Sequence, residues 1–313
     1  MIKNIVEEYV AEVNTNDTQV LLKPEVYMKD IFGMSPEEIL EFVLNNMCGL
    51  NVKKQVSASH MRRQRYVLSR FFDWCVEHGY LLYNKIEDTE MLGYRNMLFE
   101  LAERSEVNVY YKETLPRFDE EDEMKVDVIL YLLYRRFKNL EEVASLRMSD
   151  IDFDNRMIYV KNRSFRINKN MLYMLIEYIR QNTCLFIRLK VKQKNLVQYK
   201  DYILKVYDSS NVTDEKSYKK TCKRIFEERL HGEIAIRDIV MSGILNDLRE
   251  ELKELNDHEF SEFILKDARN SKWKRSLNVK KVYETVFMKH GYKPSTLIKD
   301  ELSLYLAKSK YYN

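Results

Sequence analysis

Lysines near residue 220 recur at the spacing of one helical face. They occupy positions i, i+3, i+4 and i+7, and an arginine follows them: Lys216, Lys219, Lys220, Lys223 and Arg224. The apolar residues of the segment fall on the opposite side: Tyr218, Cys222, Ile225 and Phe226. Solvated helices usually mix both signs of charge, so a basic side without interspersed acid favours a polyanion partner over a merely solvated face. Such lysines would neutralise phosphates, and Ser217, Thr221 or Arg224 could contact base edges.

The charge of the whole chain is segregated rather than large. The net charge is only +3, but residues 188–224 hold eleven Lys or Arg against four Asp or Glu, and residues 269–281 hold six against none. Acidic residues concentrate at 119–123 and 247–262. This segregation predicts one basic face, which is typical of polyanion binders. Two further groups of cations are predicted to join it: Arg62, Arg63 and Arg65, and Lys272, Lys274 and Arg275.

A different segment, residues 130–160, resembles box I of the tyrosine recombinases (phage integrases). The usual pattern is G-L-R-x-x-E-L-x-x-L followed by W-x-D-I-D, and we align it on Glu142 and residues 150–152. The family's glycine then falls on Phe137 and its first catalytic arginine on Asn139. Asparagine cannot offer phosphate a charged, bidentate contact. Three cations remain nearby and are predicted to contact DNA: Arg135, Arg136 and Lys138.

The resemblance implies a site in which a tyrosine attacks a scissile phosphate and several cations stabilise the transition state. In the hairpin after box I, Lys161 is the candidate lysine. Box II, usually H-x-L-R-H/K, aligns so that Arg237 is retained, while Ile234 replaces the histidine and Asp238 replaces the trailing cation. Arg237 is also predicted to contact DNA, and it could equally form a salt bridge with Asp238 or Glu233.

The nucleophile is the least specific part of the resemblance. The family pairs a His or Trp with a tyrosine nine or ten residues later, and Trp273 and Tyr283 have that spacing. The chain contains 22 tyrosines, so such a match arises easily by chance. Tyr283 also fits a helical core face, and Tyr292 and Tyr305 are rival candidates. Together with the substitutions in both boxes, this pattern predicts that no catalytic set is intact.

These observations predict a DNA-binding protein of tyrosine-recombinase-like fold that no longer exchanges strands. Its predicted role is transcriptional regulation through occupancy of operator-like double-stranded DNA, as in a repressor that maintains phage lysogeny. A homo-oligomer on DNA is a further expectation. Two alternatives stay open. One is an active but divergent site-specific recombinase in which Lys138 or another cation replaces the missing arginine, and the other is a helical scaffold that binds no DNA.

The composition argues against several other classes. Seven Gly and four Pro in 313 residues disfavour turn-rich β architecture and favour long helices. The four cysteines lack C-x-x-C spacing and the five histidines lack metal-ligand spacing, so neither a metal nor another cofactor is expected. No apolar run approaches the ~20 residues that span a bilayer, and no signal peptide opens the chain. We therefore expect a cytoplasmic protein without a membrane partner.

The predicted fold is mainly α with a small β-hairpin, in a two-domain tyrosine-recombinase-like architecture. Residues 1–34 are expected to form an N-terminal helix and arm, residues 35–108 a helical domain, residues 109–117 a linker, and residues 118–313 a domain of the catalytic type. Residues 65–80 resemble part of the SAM-like core-binding domain of the family, whose helix follows the DNA backbone.

Residue patterns also predict individual elements. Besides the N-terminal helix and the basic helix, helices are expected at five places: after the cap Ser35, after the cap Ser57, over 89–104, continuously from 119 to 146, and over 171–189. A hairpin is expected over 157–167 with its turn at 162–164, and residues 190–215 have no clear pattern. The apolar tail at 302–312 could dock on another subunit or fold back on its own chain.

Overall fold

The computed structural model describes residues 2–13, 21, 31–50, 56–115, 126–186, 192–230, 234–265, 277–294 and 296–311. Within them the chain is mainly helical and contains two small antiparallel sheets. The prediction of a mainly α protein with a small sheet is confirmed at that level. None of the described helices combines the length and the apolar character needed to cross a membrane.

The α-helices, numbered in chain order, are α1 (Ile2–Val13), α2 (Pro36–Glu41), α3 (Ala58–Glu77), α4 (Lys85–Asp88), α5 (Tyr94–Arg104), α6 (Asp127–Arg135), α7 (Leu140–Ala144), α8 (Lys169–Arg180), α9 (Glu215–Arg229), α10 (Ile236–Glu251), α11 (Asp257–Leu265), α12 (Leu277–Lys289) and α13 (Thr296–Ala307). The strands are β1 (Ile151–Asp152), β2 (Met157–Val160), β3 (Arg163–Arg166), β4 (Thr183–Phe186), β5 (Lys192–Gln198) and β6 (Lys205–Tyr207). A π-helical turn, Phe42–Met47, continues α2.

Contacts divide the chain into two compact units. Unit 1 comprises Met1–Asn108, Glu254–Lys274 and Ser295–Asn313, and unit 2 comprises Val109–Lys253 and Arg275–Pro294. The sequence analysis placed all residues after 118 in one domain, whereas α11 and α13 belong to unit 1 because they pack on each other and α13 packs on α3 and α5. The predicted domain boundaries themselves stay predictions.

The predicted helix starts of unit 1 are confirmed by their caps. The hydroxyl of Ser35 accepts from the N–H of Glu38 at 3.3 Å, and the Glu38 carboxylate accepts from the N–H of Ser35 at 2.8 Å, which closes a capping box before α2. Ser57 caps α3 by accepting from the N–H of His60 at 3.2 Å. Gly79, whose φ is +74°, supplies the left-handed conformation that ends this helix.

The core of unit 1 joins α1, α3 and α13. Tyr9 of α1 packs on Phe71 and Trp74 of α3, with ring centroids 5.2 and 5.5 Å apart. Apolar residues of α13, including Leu302 and Leu306, are fully buried. The described part of the tail therefore folds back on its own chain, which is one of the two alternatives that the sequence left open.

Unit 2 is built around the contact between α6 and α10. Gly243 of α10 approaches α6 so closely that a Cβ atom at this position would overlap the carbonyl oxygen of Tyr134. A glycine here permits an axial separation that any larger residue would prevent. The backbones of the two helices are thus in direct contact, and side chains before and after Gly243 are buried around them.

The predicted continuous helix from 119 to 146 is wrong over its described part. The chain forms α6, leaves the helix at Arg136, and starts α7 at Leu140. Asn139 is the cause, because its side chain accepts from the N–H of Glu142 at 2.9 Å and caps a new helix. A residue that competes for backbone hydrogen bonds favours a helix start over a helix interior.

The first sheet is the predicted hairpin with β1 added at its edge, in the order β1–β2–β3. Val160 lies opposite Arg163, so the loop consists of Lys161 and Asn162, and the predicted turn at 162–164 is wrong. Lys161 has a φ of +50°, which the tight two-residue loop requires.

The second sheet, in the order β4–β5–β6, was not predicted. The helix expected over 171–189 ends at Arg180, and two of the three strands fall within the stretch 190–215. β5 reads KQKNLVQ, which lacks apolar alternation, so its hydrophobic pattern carries no strand signal. It is held by pairing on both sides, for example Leu196 opposite Tyr207.

Replacing Gly243 with Ala tests the α6–α10 contact. In an ordinary helix interior this change stabilises by roughly 0.5–1 kcal/mol. Here we expect a loss of about 1–3 kcal/mol in the free energy of unfolding, because the methyl group overpacks against Tyr134. Urea unfolding monitored by circular dichroism measures the change. The control is Glu103→Ala on the exposed side of α5, expected within about 0.5 kcal/mol of wild type. A Gly243→Ala variant as stable as wild type would contradict the close contact.

Candidate nucleic-acid interface

The predicted basic helix is present as α9. Asp214 caps it by accepting from the N–H of Ser217 at 2.7 Å, and the Ser217 hydroxyl accepts from the N–H of Asp214 at 3.0 Å. The predicted apolar side is confirmed, since its four residues are all buried: Tyr218, Cys222, Ile225 and Phe226. Among the cations, Lys219 is half-buried and the others are exposed: Lys216, Lys220, Lys223 and Arg224. Ser217 serves the cap, which argues against its predicted contact with base edges.

An aromatic stack fixes the orientation of α9. The ring of Tyr218 lies 4.8 Å from that of Tyr202 and 5.0 Å from that of Tyr199, and its hydroxyl donates to the carbonyl of Leu204 at 2.9 Å. Arg147 donates to the hydroxyl of Tyr202 at 3.0 Å. Because Tyr218 lies on the apolar side of α9, this network holds the lysine side toward solvent.

The lysine side chains line an open groove of about 510 Å³ along α9. Its lining residues are Glu141, Glu215, Lys216, Lys219, Lys220 and Lys223. Glu141 belongs to α7, which packs against α9. Four lysines therefore face two carboxylates, and the groove has a cationic excess suited to an anionic partner.

More carboxylates lie beside the cations of α9 than the spacing of its lysines predicted. Three ion pairs join neighbouring turns: Lys219 with Glu215 at 2.7 Å, Lys223 with Glu227 at 3.7 Å, and Arg224 with Glu228 at 3.1 Å. The prediction of a wholly basic side is wrong in this respect, because glutamates one turn away fold over the cations. No carboxylate in the described part of the chain lies within ion-pair distance of Lys216 or Lys220.

The three arginines predicted at the start of α3 point in different directions. Arg62 pairs with Asp300 at 2.5 Å, and its guanidinium lies 4.1 Å from the ring centroid of Tyr94. Arg65 donates to two backbone carbonyls at 2.6 and 3.2 Å. Both side chains therefore serve the packing of unit 1. Arg63 is exposed, as a DNA contact requires.

Two neighbours of Arg63 were not among the predicted contacts. Tyr66 is 59% exposed and Arg70 is also exposed, so the outer side of α3 presents a tyrosine between two arginines. The spacing 63, 66, 70 follows i, i+3, i+7, which was the available signal. Arginine and tyrosine side chains commonly contact phosphate and sugar groups of DNA.

Arg135 and Arg136, predicted to contact DNA, are instead drawn to a buried carboxylate. Arg136 pairs with Oδ2 of Asp247, and Arg135 lies 3.2 Å from Oδ1. His290 is fully buried and places Nε2 3.0 Å from Oδ2 of Asp247. Its Nδ1 has no hydrogen-bond partner within the described ranges, which assigns the ring proton to Nε2.

The cluster shifts the pKa values of both its titratable members. Burial lowers the pKa of His290, although the carboxylate of Asp247 opposes this effect. Burial opposes ionisation of Asp247, but the hydrogen bond from His290 and the charges of the two arginines hold its pKa below the ordinary range. One ionised carboxylate thus engages two arginines beside a neutral histidine. Arg135 and Arg136 therefore stabilise the tertiary structure of unit 2.

Asn139, which aligns with the first arginine of the box I pattern, has a structural use. Asn139 caps α7, and the carboxylate of Glu142 accepts from the N–H of Lys138 at 2.9 Å. Glu142 also pairs with Arg163 of β3. The polar groups of this segment are therefore satisfied by each other, and Asn139 directs its side chain along the backbone rather than toward a ligand.

The hairpin cation that reaches box I is Arg163 and not Lys161. Lys161 is exposed in the two-residue loop. Arg163 donates to the carbonyl of Lys289 at 3.2 Å, and its guanidinium lies 5.9 Å from the ring centroid of Phe137. In the structure Arg163 lies opposite buried Val160 on the inner side of the sheet, whereas the turn predicted at 162–164 placed Arg163 in the loop.

Among the candidate tyrosines, Tyr292 lies beside predicted site residues. Its hydroxyl donates to the carbonyl of Lys138 at 3.1 Å, and the Lys138 ammonium lies 5.2 Å from its ring centroid. Burial raises the pKa of Tyr292, and the charge of Arg237 lowers it in part. By contrast, Tyr283 packs on another ring of α12 at 4.3 Å, and Tyr305 is buried in unit 1.

Box II is divided between surface and core. Arg237 lies exposed in the first turn of α10, Ile234 is half-buried, and Asp238 is fully buried. Asp238 therefore cannot stand in for the family's trailing cation on the surface. The predicted contacts Lys272, Lys274 and Arg275, together with Trp273 and Glu233, lie outside the described residues. Among the described residues, no group of three His, Cys, Asp or Glu could hold a metal ion.

Comparison with known proteins finds similarity among solved structures. No protein-family model matches the chain, and no curated protein matches it in sequence. Among solved structures, a XerA recombinase is similar over 94% of this chain and 98% of its own chain, with 14% sequence identity and a TM-score of 0.27. A TM-score of this size does not establish a common fold, so no role is transferred from that protein to this chain.

Acidification tests the buried cluster. Because the pKa of His290 is lower in the folded chain than its ordinary value of 6.5, the unfolded chain binds the proton first as pH falls. The free energy of unfolding should therefore decrease between pH 7.5 and 5.5, by up to about 1.4 kcal/mol per pH unit. Asp247 contributes only at lower pH, since its pKa lies below 3.8.

Urea midpoints at the two pH values measure this dependence. His290→Gln should reduce it, whereas the control His258→Gln, at an exposed position, should leave it unchanged. An equal pH dependence in wild type and in His290→Gln would show that His290 is not held neutral by burial.

Proposed function

We propose that this protein binds double-stranded DNA through the outer side of α9 and does not cut it. One observation carries the proposal: Lys216 and Lys220 are exposed along a lysine-lined groove, and no carboxylate in the described residues lies within ion-pair distance of either. Lysines in this setting neutralise phosphates and release counterions. The aromatic stack behind α9 holds them outward before any ligand is present.

A second surface supports the proposal. The outer side of α3 in unit 1 presents Arg63, Tyr66 and Arg70 at helical spacing. Residue types of this kind position a protein on the DNA backbone without reading the sequence. Base contacts would then come from α9, where Thr221 and Arg224 remain candidates.

The proposed loss of strand cleavage rests on the residues that a phosphate-transfer site needs. Asn139 is used as a helix cap, Ile234 is apolar, and Arg135 and Arg136 are bound to Asp247. Removing one donor that stabilises transition-state charge typically costs roughly 2.7–4 kcal/mol. Two such removals would leave little turnover.

The finer identity of the protein is part of the same proposal. From the resemblance in box I and box II, we propose a tyrosine-recombinase-like architecture, a role as a transcriptional regulator, and assembly of several copies on DNA. A regulator of this kind would be similar to the integrase-fold master repressor of SPβ-type temperate phages. Residence in the cytoplasm, where DNA is accessible, is proposed with it.

A second candidate function is an active but divergent recombinase. The observation that favours it is the position of Tyr292 beside Lys138 and within the electrostatic influence of Arg237. A tyrosine nucleophile and cations that stabilise developing charge are the kinds of residue that a phosphate-transfer site uses. The burial that raises the pKa of Tyr292 opposes its use as a nucleophile.

Binding to duplex DNA should depend on Lys216 and Lys220, which have no carboxylate within ion-pair distance among the described residues. We expect Lys216→Ala/Lys220→Ala to bind duplex more weakly than wild type, and to reduce the slope of log affinity against log salt by about 1.8, or roughly 0.9 for each phosphate that is no longer neutralised. Fluorescence anisotropy from about 50 to about 200 mM salt measures both quantities. The matched control is Lys169→Ala/Lys253→Ala, which removes the same charge elsewhere in unit 2. Equal slopes for the two double variants would contradict the proposed role of α9.

Two readouts separate a regulator from a recombinase. We expect no covalent protein–DNA adduct on nicked suicide substrates, and we expect a genome-wide footprint to fall on promoters rather than on one attachment site. An adduct would favour the enzyme, and Tyr292→Phe and Tyr283→Phe would then identify the nucleophile. In that event Arg237→Ala should abolish cleavage while DNA binding is retained.

A further inference from the structure

The glutamates at the end of α9 are poorly placed as stabilisers of the helix. Glu227 and Glu228 follow their partners Lys223 and Arg224 by four residues, which is the less favourable order for an ion pair along a helix. They also lie in the last turn, where negative charge opposes the helix dipole. Helix stability therefore does not explain the presence of Glu227 and Glu228 in the last turn of α9.

Glu227 and Glu228 have a direct effect on the charge of the surface of α9. Lys223 lies 3.7 Å from Glu227, and Arg224 lies 3.1 Å from Glu228. Each cation is thus accompanied by a carboxylate that a phosphate would have to displace or approach. These distances are well inside the Debye length of about 8 Å at physiological ionic strength, so salt does not hide the acid from an incoming phosphate.

The glutamates divide the cations of α9 into two classes. Lys216 and Lys220 have no carboxylate within ion-pair distance among the described residues, whereas Lys223 and Arg224 each have one. Lys219 is paired with Glu215. This glutamate also accepts a hydrogen bond from Tyr202, whose ring contacts help to orient α9. Glu227 and Glu228 pair with exposed cations of α9, and Glu141 and Glu215 line the groove.

We propose that Glu227 and Glu228 restrain binding to DNA of arbitrary sequence and so set the specificity of α9. This inference rests on the proposed DNA-binding function. The carboxylates limit phosphate neutralisation to Lys216 and Lys220, which lowers the affinity that depends on charge alone. A contact of Thr221 to a base edge does not pass through these ion pairs, so the ratio of specific to non-specific binding rises.

The test is Glu227→Gln/Glu228→Gln, measured with a duplex of random sequence. Glutamine keeps the helix propensity and the size of glutamate while it removes the charge. The variant should bind the random duplex about tenfold more tightly at 50 mM salt, and its affinity should fall about tenfold further than that of wild type between 50 and 200 mM salt, because two more phosphates are neutralised. The control is Glu103→Gln/Glu254→Gln, which makes the same change of net charge at exposed positions in unit 1.

The outcomes distinguish this inference from the proposed function. A steeper salt dependence in Glu227→Gln/Glu228→Gln, with the control unchanged, supports the restraint. If wild type binds DNA through Lys216 and Lys220 but both glutamine variants share its affinity and its salt dependence, the restraint is overturned and the proposed function stands. If neither wild type nor the variant binds DNA at any salt concentration, both are overturned.

Discussion

The buried carboxylate of Asp247 is the interaction on which unit 2 depends most directly. It lies on α10 and binds Arg135 and Arg136 at the end of α6 and His290 just beyond α12. Removing one partner from a buried ionic cluster typically costs about 3–5 kcal/mol, because an uncompensated charge is left in the core. The contact at Gly243 brings α6 and α10 close enough for this arrangement to form.

The same carboxylate brings together residues that are distant in the chain. Lys138 follows Arg136 by two residues, and Tyr292 follows His290 by two residues. When Asp247 holds Arg136 and His290, the next residues of both segments meet, and Tyr292 donates to the carbonyl of Lys138. Arg163 also links the two segments, because it pairs with Glu142 and donates to the carbonyl of Lys289. The segment around Lys138 and Tyr292 is thus held by internal pairs, in which Arg136, Arg163 and Glu142 each take part.

The surface of α9 follows a different principle. Its cations are exposed because Tyr218 and its aromatic neighbours take up the other side of the helix. Their charge is then moderated by glutamates one turn away rather than by the core. On this surface the paired cations have their partners on the same helix, whereas Arg135, Arg136 and Arg163 are held by tertiary contacts.

The sequence by itself determined the features that depend on near neighbours. The caps Ser35 and Ser57, the amphipathic pattern of α9 and the hairpin strands β2 and β3 all follow from residues within a few positions of each other. Local hydrogen bonds and helical periodicity need no knowledge of the rest of the chain. The substitution at Asn139 was also evident from sequence, although its use as a cap was not.

Only the tertiary structure decided which cations remain available to a ligand. Four arginines have the sequence pattern of surface cations, but each contacts a carboxylate or a carbonyl that lies far away in sequence: Arg62, Arg65, Arg135 and Arg136. The second sheet was missed for a related reason, since β5 is held by pairing with strands on both sides and not by its own pattern. A charged side chain has the same sequence signal whether it meets water or a buried partner. The choice between them depends on long-range packing, which no local spacing encodes.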